Sequence, residues 1–205
     1  MNASRTPGAV GTGRPRRSSR ETLQDAATEL FLEQGYEKTT IDDIARRAGV
    51  ARGTFFNYFP AKGDLLWADL DPALDALPSV LAAMPPGDSP ALGVRAALVE
   101  LTGQVLLAPV VLAERGTIGA ADDAAQSGLP RMLAVDAALR RFIMARTQAR
   151  DGIPEAFAAG ATGALLAAGV RWLDAGSTRG SLADAVGAAL APLVEAFAPL
   201  LPPSA

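Results

Sequence analysis

Residues 39–62, TTIDDIARRAGVARGTFFNYFPAK, constrain what this chain can fold into more than any other stretch. Thr40 stands three residues before Asp43, the spacing of a capping box that starts a helix at Ile41. Ile41, Ile44, Ala45 and Ala48 fall on one side of that helix. Gly49 then breaks it, because glycine takes positive φ at little cost. A second short helix runs from about Ala51 to Phe59, where Pro60 ends it by removing a donor and disfavouring helical backbone at the preceding residue. Two short helices joined by a tight glycine turn make a helix-turn-helix.

At 100° per residue, Phe55 and Phe59 of the second helix fall together with Ala51 close by, and this face must pack inward. Gly53 and Asn57 fall opposite, flanked by Thr54 and Phe56, with Tyr58 at the edge. Such a face makes a poor core and a good groove reader. Gly53 lets the backbone approach, and Asn57 offers both a donor and an acceptor to a base edge. Thr54, Tyr58 and Lys62 are placed to reach phosphates, and Arg20, Thr39, Thr40 and Arg52 complete the expected contact set.

GV-ARGTFFNYF-PAK-GDLL resembles the recognition helix of the TetR family of bacterial transcriptional repressors, specifically over residues 20–67 and architecturally beyond. The resemblance implies that the second helix enters the major groove. It also implies that a helical domain behind the head binds a small ligand and dimerises, and that ligand binding moves the helix linking the two. Phe56 stands where the family usually has tyrosine. It can touch a thymine methyl but cannot donate to a phosphate. The FFNYFPAKGDLLW wording, with Arg171-Trp172-Leu173 near the chain end, is also similar to a branch associated with acyl-CoA-like ligands in actinobacteria.

The 205 residues divide into a basic arm (1–19), a helix-turn-helix domain (20–67) and an effector-binding and dimerisation domain (68–205). Aromatic residues are 5% of the chain against 49% hydrophobic overall, so the core is Ala, Leu and Val, which suits an all-α, TetR-like fold. With no cysteine and no histidine, disulfides, thiolate or imidazole zinc sites and Ser-His-Asp chemistry are excluded. No phosphate loop or Glu-x-x-His accompanies the scattered carboxylates, so no catalytic residue, metal or cofactor is expected. The first 67 residues hold ten basic and eight acidic residues, net +2, and the rest nets −5, which suits DNA at one end only. In the arm, Gly13-Arg14-Pro15-Arg16-Arg17 resembles an AT-hook. Arg14, Arg16 and Arg17 either lie along a minor groove or solubilise the tail, and attract phosphate in both cases. No apolar leader segment precedes them, and the longest charge-free run, residues 156–170, is too short to span a bilayer. A cytoplasmic protein with no membrane partner is expected.

Downstream, the spacing predicts a first helix from Arg20 to Gly35, a connecting helix from Ala61 to Leu70 broken near Pro72, and a helix over residues 92–108 with Leu98, Leu101, Val105 and Leu106 inward. Residues 110–118 follow as a short helix. Gly116, Gly119 and Gly128 suggest a flexible connection, and residues 129–149 a long helix with Met132, Leu133, Leu139, Phe142 and Ile143 inward. Leu101, Val105, Met132, Phe142 and Leu165 are the expected cavity lining, with Met144 a further candidate. The last two helices, from Pro154 to Asp174 and from Leu182 to Leu201, are apolar nearly all round. They are expected to form a four-helix bundle in a homodimer, through Leu166, Val170, Leu190, Val194 and Phe197. The function expected is a ligand-responsive repressor released from palindromic operator DNA by a small apolar effector. Two readings compete: a helical lipid- or acyl-binding module without DNA function, and a small helical enzyme using carboxylates and arginines.

Overall fold

A computed structural model describes residues 19–85 and 89–204; the proposed arm, with Arg14, Arg16 and Arg17, lies outside them. Among the described residues nine α-helices follow one another: α1 (Ser19–Gln34), α2 (Ile41–Arg47), α3 (Arg52–Phe56), α4 (Asp71–Ala83), α5 (Pro90–Gly103), α6 (Val110–Ala113), α7 (Ala121–Met144), α8 (Ile153–Asp174) and α9 (Leu182–Phe197). The described residues form no strand beyond one isolated bridge between Thr147 and Pro203. The all-α expectation holds.

Local chemistry sets most boundaries. Gly35 follows α1 at φ +87° and Gly49 follows α2 at φ +70°, left-handed conformations that other residues adopt only at a cost. Thr40 caps α2: its Oγ1 accepts from the Asp43 N–H at 3.1 Å, while its own N–H donates to the Asp43 carboxylate at 3.1 Å. The Thr40 hydroxyl, which donates to the same carboxylate at 2.6 Å, and the Thr40 N–H, aided by Arg46, hold the Asp43 carboxyl down at about 2. Because the folded value lies below the unfolded one, this stabilisation is present above pH 4 and is lost as pH falls towards 2. Thr40→Ala is expected to cost about 1 kcal/mol in urea unfolding at pH 7. The stability difference between wild type and Asp43→Asn should likewise shrink between pH 4 and 2, and a constant difference would remove the box from the account.

Several helices differ from expectation. α3 stops at Phe56 because its end tightens: the Asn57 and Tyr58 N–H groups reach back only three residues, although the Phe59 N–H still donates to the Phe55 carbonyl. The connector before Pro72 is a 3₁₀ turn (Lys62–Leu66) followed by turns, not a helix to Leu70. α7 begins at Ala121 and runs through Pro130, so the supposed flexible glycine connection is largely helix. There the Arg131 guanidinium donates to the Ser127 carbonyl at 2.7 Å, next to the gap proline makes in the ladder. Leu106 and Leu133 are exposed, because α5 ends before Leu106 and Leu133 falls on the outer side of α7.

Two packed regions result. In the body α5 lies at the centre against α4, α7 and α9, with Leu98, Leu139, Ile143, Phe157 and Leu190 fully buried. In the head, Leu23, Phe31, Tyr36, Ile44, Phe55, Phe59 and Leu66 form a second core, which also takes in Val111, Leu112, Ile118, Ala120 and Ala124 from α6, the turn after it and the start of α7. α8 and the segment 182–200 are long and apolar enough to cross a membrane by length and composition, yet both pack into the body core. That packing corrects part of the expected interface: Leu190 and Val194 are buried within the protomer, and Phe197 packs on Phe157 at 5.4 Å between ring centroids. Leu166 and Val170 remain outside, 44% and 39% exposed.

Candidate nucleic-acid interface and effector cavity

α3 is five residues long, too short to persist without tertiary support. Phe55 and Phe59 supply it from below, their rings 5.7 Å apart and both buried. This anchoring turns Arg52, Gly53, Phe56, Asn57 and Tyr58 outward, all exposed, with Thr54 half-buried beside them. Ala51, expected near the inward face, is exposed because it is the N-cap. A Cβ added to Gly53 would meet nothing within 4 Å. Nothing inside the protein therefore asks for glycine there, although glycine costs a helix up to about 1 kcal/mol against alanine.

The head's arginines are already engaged. Arg52 meets Asp42 at 2.7 Å, Arg47 meets Glu33 at 2.7 Å and Glu29 at 3.0 Å, and Arg46 pairs with Asp43. Arg47 is held cationic by its two glutamates, and Glu33 is pulled below the ordinary carboxylate range by the bond from Arg47. Such exposed pairs contribute little and exchange readily for phosphate. Arg20 lies over the Phe59 ring at 4.9 Å.

Two expected contacts are turned inward instead. Thr39 is buried, its hydroxyl donating to the Gly35 carbonyl at 2.8 Å, because it closes the turn between α1 and α2. Lys62 donates to the carbonyls of Tyr36 at 2.8 Å and Thr39 at 3.0 Å and lies 3.9 Å over the Tyr36 ring. Burial lowers its pKa. It is a strut beneath the helix-turn-helix rather than a free phosphate ligand. Tyr36, as expected, is core; burial and the neighbouring Asp123 push its phenol upward.

Behind the head lie two apolar cavities, of about 320 and about 90 Å³, sharing Trp67, Met132, Leu166, Val170 and Leu173 as walls. Leu101, Val105, Met132 and Leu165 line the smaller one together. Phe142 does not: it packs against Gly93 and under Arg146, 4.4 Å from ring centroid to guanidinium, and Met144 is exposed at the end of α7.

The connector between head and cavity is clamped. Trp67 donates from Nε1 to the Ala124 carbonyl at 3.1 Å, and its ring fills the space a Cβ on Gly128 would need, 2.5 Å away. Arg131 of α7 forks onto Asp71 at 2.6 and 2.8 Å and reaches Asp64 at 3.2 Å. The Trp67 ring thus has one face towards the cavities and its N–H tied to α7.

The model of the bacterial regulatory proteins of the tetR family matches residues 23–68, the span of α1 to the connector. That span is thus a TetR-family domain. TcmR of Streptomyces glaucescens, an HTH-type transcriptional regulator, is 34% identical over 101 residues, 49% of this chain and 45% of that protein. The chain spans less than half the length of the curated relatives it matches. Among solved structures, FadR of Thermus thermophilus, a TetR-family repressor in complex with lauroyl-CoA, is 23% identical, covering 86% of this chain and 93% of that one with a TM-score of 0.54. NalD of Pseudomonas aeruginosa, the secondary repressor of the MexAB-OprM efflux pump, is 19% identical with a TM-score of 0.57, over 86% of this chain and 94% of that one. At these identities the structures share the TetR fold.

Behind this TetR-family domain, sequence reasoning missed Trp67, Leu70, Leu173 and the Asp64–Arg131–Asp71 clasp. Their partners lie about sixty positions or more away, and no local period links them. The one signal available was Trp67 itself, one of two tryptophans, standing between the head and the first proline of α4.

Proposed function

We propose that the protein is a homodimeric, cytoplasmic, ligand-responsive repressor that binds operator DNA through α3 and releases it when an apolar effector fills the cavities bordered by Trp67. The observation that carries the DNA reading is Gly53: a helical glycine facing open space, beside exposed Asn57, leaves room only for something from outside. A major groove admits a helix at that distance, and Asn57 can make a paired hydrogen bond to an adenine edge. Phe56, 47% exposed, fits a thymine methyl.

The cavities support the effector reading. Their shared walls are aliphatic apart from Trp67, which favours an acyl chain, and the resemblance in fold to a repressor crystallised with lauroyl-CoA makes an acyl-CoA the first effector to test. Such a ligand acts only by preferring the conformation that does not bind DNA. Because Trp67 both walls the cavities and ties the connector to α7, it is the natural point of transmission.

The test is fluorescence anisotropy on the gene's own upstream DNA against a scrambled duplex, with and without lauroyl-CoA. Binding that prefers the upstream DNA and weakens with the ligand is expected. Preference untouched by lauroyl-CoA would remove the acyl-CoA assignment, and equal weak binding to both duplexes at every salt concentration would remove the repressor. Gly53→Ala separates fold from function within the same assay. It should raise stability by up to about 1 kcal/mol while weakening specific binding. A variant both more stable and equally tight would overturn the close approach.

A further inference from the structure

α7 and α8 pack side by side and are joined by residues 145–152 alone, so they run in opposite directions. The larger cavity follows the furrow between them. Its walls include Ala124, Gly128 and Met132 on α7, one turn apart, and Leu173, Val170 and Leu166 on α8, taken in reverse. Both series are apolar, and both continue. One turn further along the same face of α7 stands Asp136, and one turn further back along α8 stands Thr162. With the helices antiparallel, these two residues close the same end of the furrow, the end remote from Trp67.

Each carries an oxygen that the fold leaves idle. Asp136 pairs with Arg140 through Oδ2, but its Oδ1 is buried with no hydrogen-bond partner among the described residues. Thr162 is 9% exposed, and its Oγ1 is likewise buried and unpartnered. A helical threonine can satisfy its hydroxyl on the carbonyl four residues back, as Thr102 does on Leu98 at 2.7 Å. Thr162 forgoes that bond. A buried polar atom without a partner costs the fold stability, so two of them at one end of an apolar furrow call for a group that supplies what they lack.

Together they offer one acceptor and one hydroxyl able to donate. Arg140 already offsets the charge on Asp136, so the matching group is neutral rather than cationic. A hydroxyl fits, because it can donate to Asp136 Oδ1 and accept from the Thr162 hydroxyl at once. We propose that the effector is an aliphatic chain ending in a hydroxyl, which Asp136 and Thr162 hold at the end of the furrow remote from Trp67. The inference rests on the proposed function only in taking this cavity for the effector site. It goes beyond an apolar effector, since a plain acyl chain would press its methyl end against two unpaired polar atoms.

Isothermal titration calorimetry of the full chain with dodecanoate and with ω-hydroxydodecanoate tests this. A plain apolar cavity prefers dodecanoate, because the added hydroxyl must leave water. Here the order should reverse, with the ω-hydroxy acid binding about tenfold tighter. Thr162→Val keeps the shape of the side chain and removes its hydroxyl. It should melt no lower than wild type, since no bond within the protein is lost, and should abolish the preference while leaving dodecanoate affinity unchanged. Asp136→Ala should abolish the preference too, whereas Arg140→Ala, whose partner is the other carboxylate oxygen, should keep it. Tighter dodecanoate in the wild type, a preference that survives Thr162→Val or Asp136→Ala, or binding of neither acid would each overturn the proposal. So would ω-aminododecanoate binding tighter than the hydroxy acid. The repressor reading fails separately: a protein that prefers the hydroxy acid but not its upstream DNA removes that reading and leaves this one.

Discussion

Phe55→Ala is expected to cost about 3–5 kcal/mol of stability and to abolish sequence-preferring DNA binding. The ring is fully buried, 5.3 Å from Phe56 and 5.7 Å from Phe59, so truncation removes its transfer free energy and leaves a void the short α3 cannot fill by shifting. Five residues of helix have no independent stability, so what Phe55 fixes is the presence of the reading surface itself. Urea unfolding and anisotropy on the same preparation check both halves. A loss under 1 kcal/mol, or intact specific binding, would mean that α3 is held by something other than its phenylalanines.

The second large effect is expected at Arg131. Arg131→Met should destabilise by about 2–3 kcal/mol, because it leaves Asp64 and Asp71 largely enclosed and without their shared cation. The figure is set below that for a fully buried pair since both aspartates retain some contact with water. Removing Asp71 alone by Asp71→Asn should cost less, as Arg131 keeps Asp64 and the Ser127 carbonyl. The Arg131→Met, Asp71→Asn pair should be less than additive, which a thermal double-mutant cycle reads directly. Strict additivity would show that the clasp carries no energy. The same variants should blunt the response of DNA affinity to lauroyl-CoA, since the clasp ties the connector to the helix that walls the cavities.

The head was the most legible part of the chain. Thr40-x-x-Asp43, Gly49, the Phe55/Phe59 pair and Pro60 each act within a few residues, and local rules read local chemistry. Lys62 and Thr39 were misjudged for the complementary reason. Their partners are backbone carbonyls in the α1–α2 turn, invisible to a pattern of side-chain types. In the body, apolar spacing marked most of the helices, and it brought Leu101, Val105, Met132 and Leu165 to one cavity. It failed where helices are apolar all round. On α9 Leu182, Val186, Leu190 and Val194 recur every four residues, but the period alone does not say whether that stripe meets its own protomer or a partner, and Leu190 and Val194 proved to be the protomer's own core. On α8 the same composition left Leu166 and Val170 outside. The start of α7 was placed at residue 129 because Gly116, Gly119 and Gly128 read as a flexible connection, whereas the helix runs from Ala121 through Gly128.

The head's core is not sealed by residues 20–67 alone. Leu112, Ile118 and Ala124 close it, the Tyr36 N–H donates to the Ile118 carbonyl at 2.8 Å, and its hydroxyl donates to Asp123 at 3.2 Å. During synthesis, therefore, the DNA-reading surface stays incomplete until more than half of the chain has left the ribosome. A nascent or prematurely terminated chain ending at the connector would offer an unfinished head, its aromatic floor open to water. A chain ended before Ile118 is therefore expected to hold the head less firmly than the full chain, which urea unfolding of the two checks.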